Sequence, residues 1–197
     1  GEKIPFIVHP HGGPNARDYW GYNPEVQFYA TRGYGVIQMD YRGSTGYGRK
    51  EMMLANHEMG KSMQEDKYDA LFWANEQGYV DMDNVCISGA SYGGYAAMQA
   101  ATKSPELFKC IIAYVGVYDL TSSDLRGLQW SELSQPMEYI EKGNPRDPED
   151  YKNLYENSPL FFAENIEDPV LIITGRRDSQ VRFQETVDMV NELKKYG

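Results

Sequence analysis

The apolar residues of this chain fall into short continuous runs that alternate with segments of helical periodicity. Five runs predict β-strands, at Ile4–Val8 and at residues 34–41, 85–88, 109–117 and 169–175. Apolar positions at helical spacing predict helices at residues 24–32, 62–77, 95–101 and 183–195. Residues 118–165 are polar and interrupted by prolines, which predicts short helices and loops. Because strands buried on both faces read as apolar runs, the alternation predicts an α/β fold with a mostly parallel sheet and helices on both faces.

Composition and charge narrow the classes of function. The 197 residues are 41% hydrophobic and 24% charged, which suits one globular domain with its own core. A net charge of −10 argues against a nucleic-acid partner, because phosphate binding needs clustered lysine and arginine. No apolar run approaches the ~18 residues of a membrane span, so we expect a soluble protein with no membrane contact, whether cytoplasmic, periplasmic or secreted. A strand almost directly after Gly1 favours a piece of a longer protein.

The two cysteines both fall in predicted strands. Cys86 precedes the glycine-rich turn described next, and Cys110 opens the following strand. We interpret them as small buried hydrophobic residues rather than as a disulfide pair. Two cysteines at such positions do not identify the compartment.

A nucleophile motif joins the strand at residues 85–88 to the helix at residues 95–101. Its residues are Gly89-Ala90-Ser91-Tyr92-Gly93, a G-x-S-x-G pattern. A strand, a tight turn and a helix are the context of a nucleophile elbow, which exposes a serine hydroxyl on a sharp turn. The two glycines let strand and helix approach closely, and the helix dipole points at the site. The pattern therefore predicts that Ser91 is a nucleophile.

Two backbone N–H groups are candidate donors to the oxyanion that forms when the serine attacks a carbonyl group. One belongs to Tyr92, directly after the nucleophile, and the other belongs to Gly13 in the sequence His11-Gly12-Gly13-Pro14 after the first strand. His9 and His11 lie two positions apart, but no cluster of Asp, Glu or Cys ligands follows. We therefore expect no metal site and no cofactor.

The carboxylate that orients a catalytic base is expected late in the chain. Asp178 follows the strand at residues 169–175 and comes after Ser91, in the order serine, aspartate, histidine that an α/β-hydrolase uses. Asp119, after the preceding strand, is a second candidate. The alternative for Asp178 is a solvated loop residue paired with Arg176 or Arg177.

The base is the missing member of this set. The chain has three histidines, His9, His11 and His57, and none of them follows Asp178. His11 belongs to the glycine-containing loop, and we interpret His57 as a surface residue rather than a base. The sequence therefore predicts an incomplete triad, and the 197-residue chain alone is expected to be nearly inactive.

Four segments together resemble the prolyl oligopeptidase family of serine peptidases. They are residues 11–14, 42–48, 89–95 and 175–181. The His-Gly-Gly-Pro sequence is more similar to the branch of acylaminoacyl peptidases and dipeptidyl peptidases than to prolyl oligopeptidase itself. The similarity extends from Pro5 to about Val187 and so covers nearly the whole chain.

The resemblance implies a single α/β-hydrolase catalytic domain over residues 1–197, incomplete at both ends. It implies that Ser91 is the nucleophile and Asp178 the carboxylate, with oxyanion donors around Gly13 and at Tyr92. It also implies that residues 42–48 are a scaffold beside the site. In the full-length protein it implies an N-terminal β-propeller, a later segment that carries the histidine, and short peptides as substrates cleaved through an acyl-enzyme.

Two alternative hypotheses for the function stay open, namely an esterase on the same fold and an inactive fragment or pseudoenzyme without the base. Residues 116–140 are expected to form the substrate pocket, and ordinary packing under loops is the alternative for its four candidates, Val117, Tyr118, Leu125 and Trp130. The sequence leaves open the residue preference at the scissile bond, cleavage from the end or within a peptide, and assembly into a homo-oligomer.

Overall fold

Five parallel strands form one sheet in a computed structural model that describes residues 2–122 and 135–196. The strand order is β2-β1-β3-β4-β5, and all four pairings are parallel. The strands are β1 (Ile4–Val8), β2 (Gly35–Ile37), β3 (Val80–Ala90), β4 (Cys110–Tyr114) and β5 (Val170–Ile173). The predicted α/β class with a parallel sheet is confirmed.

Helices and short 3₁₀ turns connect these strands or follow the last of them. The helices are α1 (Pro24–Ala30), α2 (Arg49–Met53), α3 (Ser62–Glu76), α4 (Tyr92–Lys103), α5 (Gln135–Lys142), α6 (Pro148–Glu156) and α7 (Phe183–Leu193). The 3₁₀ turns are Pro105–Leu107 and Pro159–Asn165. Asn23 caps α1, because its side-chain oxygen accepts hydrogen bonds from the N–H groups of Glu25 and Val26, and proline at the first helical position suits such a start.

Several elements differ from the prediction, most clearly β2, α2 and the start of β3. β2 is limited to Gly35–Ile37, and α2 follows the loop at residues 42–48 without having been predicted. β3 begins at Val80 rather than at residue 85, because Val80 pairs with Ile4 before a register shift. Asp81, Asp83 and Asn84 lie in that irregular part of the strand and interrupt the apolar pattern there.

One face of the sheet packs against α3 and α4. Strand register places Val8 beside Ile87, so their side chains point to the same face. Both belong to a buried cluster with Leu71 of α3 and Ala97 of α4. This cluster holds in place the strands whose carboxyl ends carry the candidate site.

The opposite face is covered by α1 but is partly open at β4 and β5. Tyr29 of α1 reaches this face, where its hydroxyl lies 3.0 Å from Ser88 Oγ. Tyr114 and Ile173 are paired in register and share this face with Leu171, and the three residues are 47%, 43% and 54% exposed. An apolar strip on β4 and β5 is therefore in contact with solvent.

The prediction for the two cysteines is wrong, because Cys86 and Cys110 form a disulfide bond. β3 and β4 are in register at these two positions, and the Cα atoms lie 4.7 Å apart. Side chains at paired positions of neighbouring strands point to the same face at a distance that a disulfide spans. Strand register is a long-range property, so the local pattern around each cysteine does not reveal it.

Within residues 2–122 and 135–196, no helix is long and apolar enough to cross a membrane.

Candidate active site

The candidate site lies where the strand order reverses. From β1 the chain passes to β2 on one side of the sheet, and it later returns to β3 on the other side of β1. The carboxyl ends of strands that flank such a switch point form a crevice in which α/β proteins bind ligands. The HGGP loop (residues 9–14) follows β1 and Ser91 follows β3, so both face this crevice.

Ser91 occupies a sharp turn between β3 and α4. Its φ of 57° and ψ of −117° lie outside the regions that non-glycine residues favour. Its N–H donates a hydrogen bond to Tyr114 O at 2.9 Å, and its carbonyl oxygen accepts one from Tyr95 N–H at 3.0 Å. Backbone strain that neighbouring contacts maintain is a mark of functional sites. The turn has the conformation that the elbow motif predicts.

The glycines of the motif permit a close approach of strand and helix. A β-carbon at Gly89 would lie 2.7 Å from the carbonyl carbon and oxygen of Gly93, well inside van der Waals contact. A β-carbon at Gly93 would meet the carbonyl oxygen of Pro10 in the HGGP loop. The glycines therefore set the spacing of β3, α4 and this loop.

The variant Gly89→Ala is expected to destabilise the fold by about 1–3 kcal/mol, because the added methyl group meets backbone atoms that cannot rotate away. The thermal unfolding midpoint measures this effect. Gly21→Ala is a matched control, since a β-carbon there has no heavy atom within 4 Å. Equal midpoints for the two variants would contradict the packing argument.

The HGGP loop passes directly beside the nucleophile. A β-carbon at Gly12 would lie 3.1 Å from Ala90 O and 3.4 Å from Ser91 Cβ. Gly13 has a φ of 133°, which glycine adopts without strain, and its bond to Pro14 is cis. Tyr92 opens α4, and the first N–H groups of a helix have no intrahelical acceptor. The structure thus brings Gly13 and Tyr92 to the crevice, and their role as oxyanion donors stays a prediction.

His11 holds the HGGP loop to the segment that follows β2. Its Nε2 lies 2.9 Å from Ser44 Oγ, and its Nδ1 donates to Gly12 O at 2.7 Å. Tyr41 stacks on the His11 ring at a centroid distance of 4.3 Å and donates its hydroxyl to His11 O at 2.8 Å. The segment at residues 42–48 therefore has contacts that suit a scaffold.

The other two histidines also have partners away from Ser91. His9 Nδ1 donates to Ser88 O at 2.9 Å. His57 Nδ1 lies 3.3 Å from Asp150 Oδ1, with the His57 side chain 42% exposed. All three histidines of the sequence are thus held by other groups, and none of these contacts is with Ser91.

Asp178 lies in the loop after β5, at the same edge of the sheet as Ser91. Its Oδ1 accepts hydrogen bonds from Gln180 N–H at 2.8 Å and from Val181 N–H at 2.9 Å, which orient the carboxylate. Asp119 Oδ1 instead accepts from the N–H and the hydroxyl group of Thr121, at 2.8 and 2.6 Å. Both aspartates shape their own loops, and the choice of Asp178 stays a prediction.

The structure describes two of the four predicted pocket residues, Val117 and Tyr118. Tyr118 is fully buried in a core cluster with Met98, Ala113, Ala163 and Met189, so ordinary packing describes its side chain. Val117 is half-buried and packs against the cluster that contains Tyr41 and Tyr92, next to the site. Leu125 and Trp130 lie outside the described residues.

Lys67 is the residue near the site that sequence reasoning missed. It is 0% exposed, on the buried face of α3 between Met63 and Leu71, four positions from each. Burial lowers the pKa of its ammonium group to about 7, an effect that Asp66 partly opposes. The available signal was a lysine in register with the apolar stripe of a helix.

In the part of the chain that the structure describes, no group of three or more His, Cys, Asp or Glu side chains is arranged to hold a metal ion.

Comparisons with known proteins identify related sequences and folds. The model of the prolyl oligopeptidase family matches residues 20–197. Dipeptidyl aminopeptidase BIII of Pseudoxanthomonas mexicana is 36% identical over 192 residues, which are 97% of this chain and 28% of that protein. Dipeptidyl peptidase family member 6 of Caenorhabditis elegans is 35% identical over 192 residues, which are 96% of this chain and 26% of that protein.

A solved acylaminoacyl peptidase from Pyrococcus horikoshii has the same fold. It is 29% identical, with a TM-score of 0.88 over 100% of this chain and 31% of that chain. The chain thus spans between a quarter and a third of the length of these relatives.

Proposed function

This chain belongs to the prolyl oligopeptidase family, and we propose on that premise that the full-length protein is a serine peptidase that hydrolyses short peptides. Its α/β-hydrolase fold matches that of an acylaminoacyl peptidase. The observation that carries the proposal is Ser91 in its left-handed backbone conformation, at a switch point and beside the HGGP loop.

In the proposed reaction, Ser91 Oγ attacks the carbonyl carbon of the scissile peptide bond and its proton passes to a base. The N–H groups of Gly13 and Tyr92 stabilise the oxyanion, and one such donor typically contributes ~10²–10³ in kcat. The tetrahedral intermediate collapses when the base returns the proton to the leaving amine. Water then hydrolyses the acyl-enzyme by the reverse roles.

The base in this proposal is a histidine from a part of the full-length protein outside residues 1–197. The three histidines of the chain are held by Ser88, Ser44 and Asp150. Asp178, with its oriented carboxylate, fixes the tautomer of that histidine and stabilises the imidazolium ion.

The experiment that tests the reaction class compares two substrates with the full-length protein. A peptidase is expected to hydrolyse an aminoacyl p-nitroanilide with a measurable kcat/KM as well as a short-chain p-nitrophenyl ester. Hydrolysis of the ester without hydrolysis of any aminoacyl or dipeptidyl anilide would identify an esterase, since the fold itself serves both chemistries.

The isolated 197-residue chain is expected to be nearly inactive, because it has a serine and a carboxylate but no available base. Loss of one triad member leaves only ~10³–10⁴-fold catalysis over water. Anilide turnover by this chain and by the full-length protein at equal concentration measures the difference. Comparable rates would contradict the proposal and would point to His11 or His57 as the base.

A further inference from the structure

A buried lysine lies behind the candidate oxyanion site. The side chain of Lys67 is fully enclosed, and its Nζ donates a hydrogen bond to Met63 O at 2.5 Å. The same nitrogen lies 3.8 Å from the ring centroid of Tyr41 and 5.2 Å from that of Tyr92. Distances below about 6 Å allow a cation–π attraction to each ring.

These two rings support the two sides of the oxyanion site. Tyr41 stacks on His11 and donates its hydroxyl to His11 O, so it carries the HGGP loop. Tyr92 directly follows the nucleophile and supplies the second candidate N–H. The two tyrosine rings lie 5.3 Å apart, with the ammonium group of Lys67 against both.

Among residues 2–122 and 135–196, no carboxylate lies within ion-pair distance of the Lys67 ammonium group. The neighbouring Asp66 carboxylate forms an ion pair with Arg42, whose Nε and Nη2 donate hydrogen bonds to it at 2.8 and 2.6 Å. A buried charge is costly, and an apolar residue of similar size in such a place often leaves a protein equally or more stable. The fold alone therefore does not require an ammonium group at this position.

We propose that Lys67 is a positioning residue of the oxyanion site, whose ammonium group draws the Tyr41 and Tyr92 rings together and so fixes the HGGP loop relative to the nucleophile elbow. This inference rests on the proposed peptidase function. Lys67 touches neither the substrate nor Ser91, and it acts through the two rings.

The charge on Lys67 changes within the accessible pH range. Its pKa is lowered by burial to about 7, while Asp66 raises it and Arg42 lowers it further. Tyr41 and Tyr92 stay neutral, because burial raises the pKa of both hydroxyl groups. As the pH rises through the pKa of Lys67, the ammonium group loses its proton, and the cation–π attraction to the two rings is lost.

The test is the kcat ratio of wild-type to Lys67→Met full-length protein on an aminoacyl p-nitroanilide, measured from about pH 6 to about pH 9. Methionine matches the shape of the lysine stem and carries no charge at any pH. We expect a ratio of about tenfold at the acid end that falls toward one at the alkaline end, with little change in KM. The titration of the catalytic base cancels in the ratio when the kcat–pH profiles of the two proteins show the same pKa for that base.

Lys103→Met is the control. Lys103 is more exposed than Lys67, its pKa is also lowered by desolvation, and it binds Gly60 O and Asn157 Oδ1 at the far end of α4. Its ratio is expected to stay near one at all pH values. Lys67→Gln provides a second uncharged variant if the methionine variant does not fold, as judged by thermal unfolding.

Three outcomes are distinguishable. A ratio that varies with pH supports the positioning role. A ratio of one throughout, or a loss that is equal at every pH, overturns it, because a packing defect does not titrate. Absence of anilide turnover by the wild-type protein itself overturns the proposed function, and with it this inference.

Discussion

Replacing Ser91 with alanine is expected to lower kcat of the full-length protein for a peptide p-nitroanilide by about 10⁶-fold. The change removes the atom that is proposed to form the acyl-enzyme and leaves the turn otherwise intact. Alanine at this position has the same backbone restriction as serine, so the φ of 57° and the elbow are expected to persist. Steady-state hydrolysis and labelling with an active-site-directed fluorophosphonate measure the loss.

Ser88→Ala is the matched control for this variant. Ser88 lies on the same strand, three positions earlier, and its hydroxyl lies 3.0 Å from that of Tyr29 rather than at the crevice. The Ser88 variant is expected to keep fluorophosphonate labelling, whereas the Ser91 variant is expected to lose it. Labelling that persists in Ser91→Ala would remove Ser91 as the nucleophile.

Replacing Asp178 with asparagine is expected to lower kcat of the full-length protein by about 10⁴-fold, with a small effect on stability. The asparagine side-chain oxygen still accepts the N–H groups of Gln180 and Val181, so the loop keeps its shape. What is lost is the negative charge that, in the proposed mechanism, holds the histidine in its productive tautomer. Hydrolysis rates and the thermal midpoint are the two measurements.

Asp119→Asn is the comparison that decides between the two carboxylates. Asp119 binds the backbone and hydroxyl group of Thr121 in its own turn, and asparagine preserves an acceptor there as well. If Asp178 is the catalytic carboxylate, the Asp119 variant remains active. The reverse pattern, with activity lost at Asp119 and kept at Asp178, would move the assignment to Asp119.

The sequence predicts those features whose signals are local. The elbow is a five-residue pattern between a strand and a helix, and the HGGP loop follows a strand directly, so the amino-acid pattern suffices to assign both to strand ends. Parallel strands bring their carboxyl ends to one edge. For that reason the alternation of strands and helices is enough to predict Ser91, Gly13 and Asp178 at a common edge.

The features that sequence reasoning missed depend on contacts between distant segments. The Cys86–Cys110 disulfide follows from the register of β3 and β4, which neither strand encodes by itself. Lys67 escapes a sequence-based search because a lysine in a helix is usually solvent-exposed, and only the packing of α3 against Tyr41 and Tyr92 shows its burial.

The left-handed conformation of Ser91 also lowers the free energy of unfolding at a position where the proposed reaction requires a serine. A non-glycine residue in such a conformation costs on the order of 1–3 kcal/mol, and glycine would adopt it without strain. If Ser91 is the nucleophile, glycine at position 91 would therefore give a more stable protein that lacks activity. A screen that rewards only yield or heat resistance would enrich such variants, and a high melting temperature in this protein is no guide to its activity.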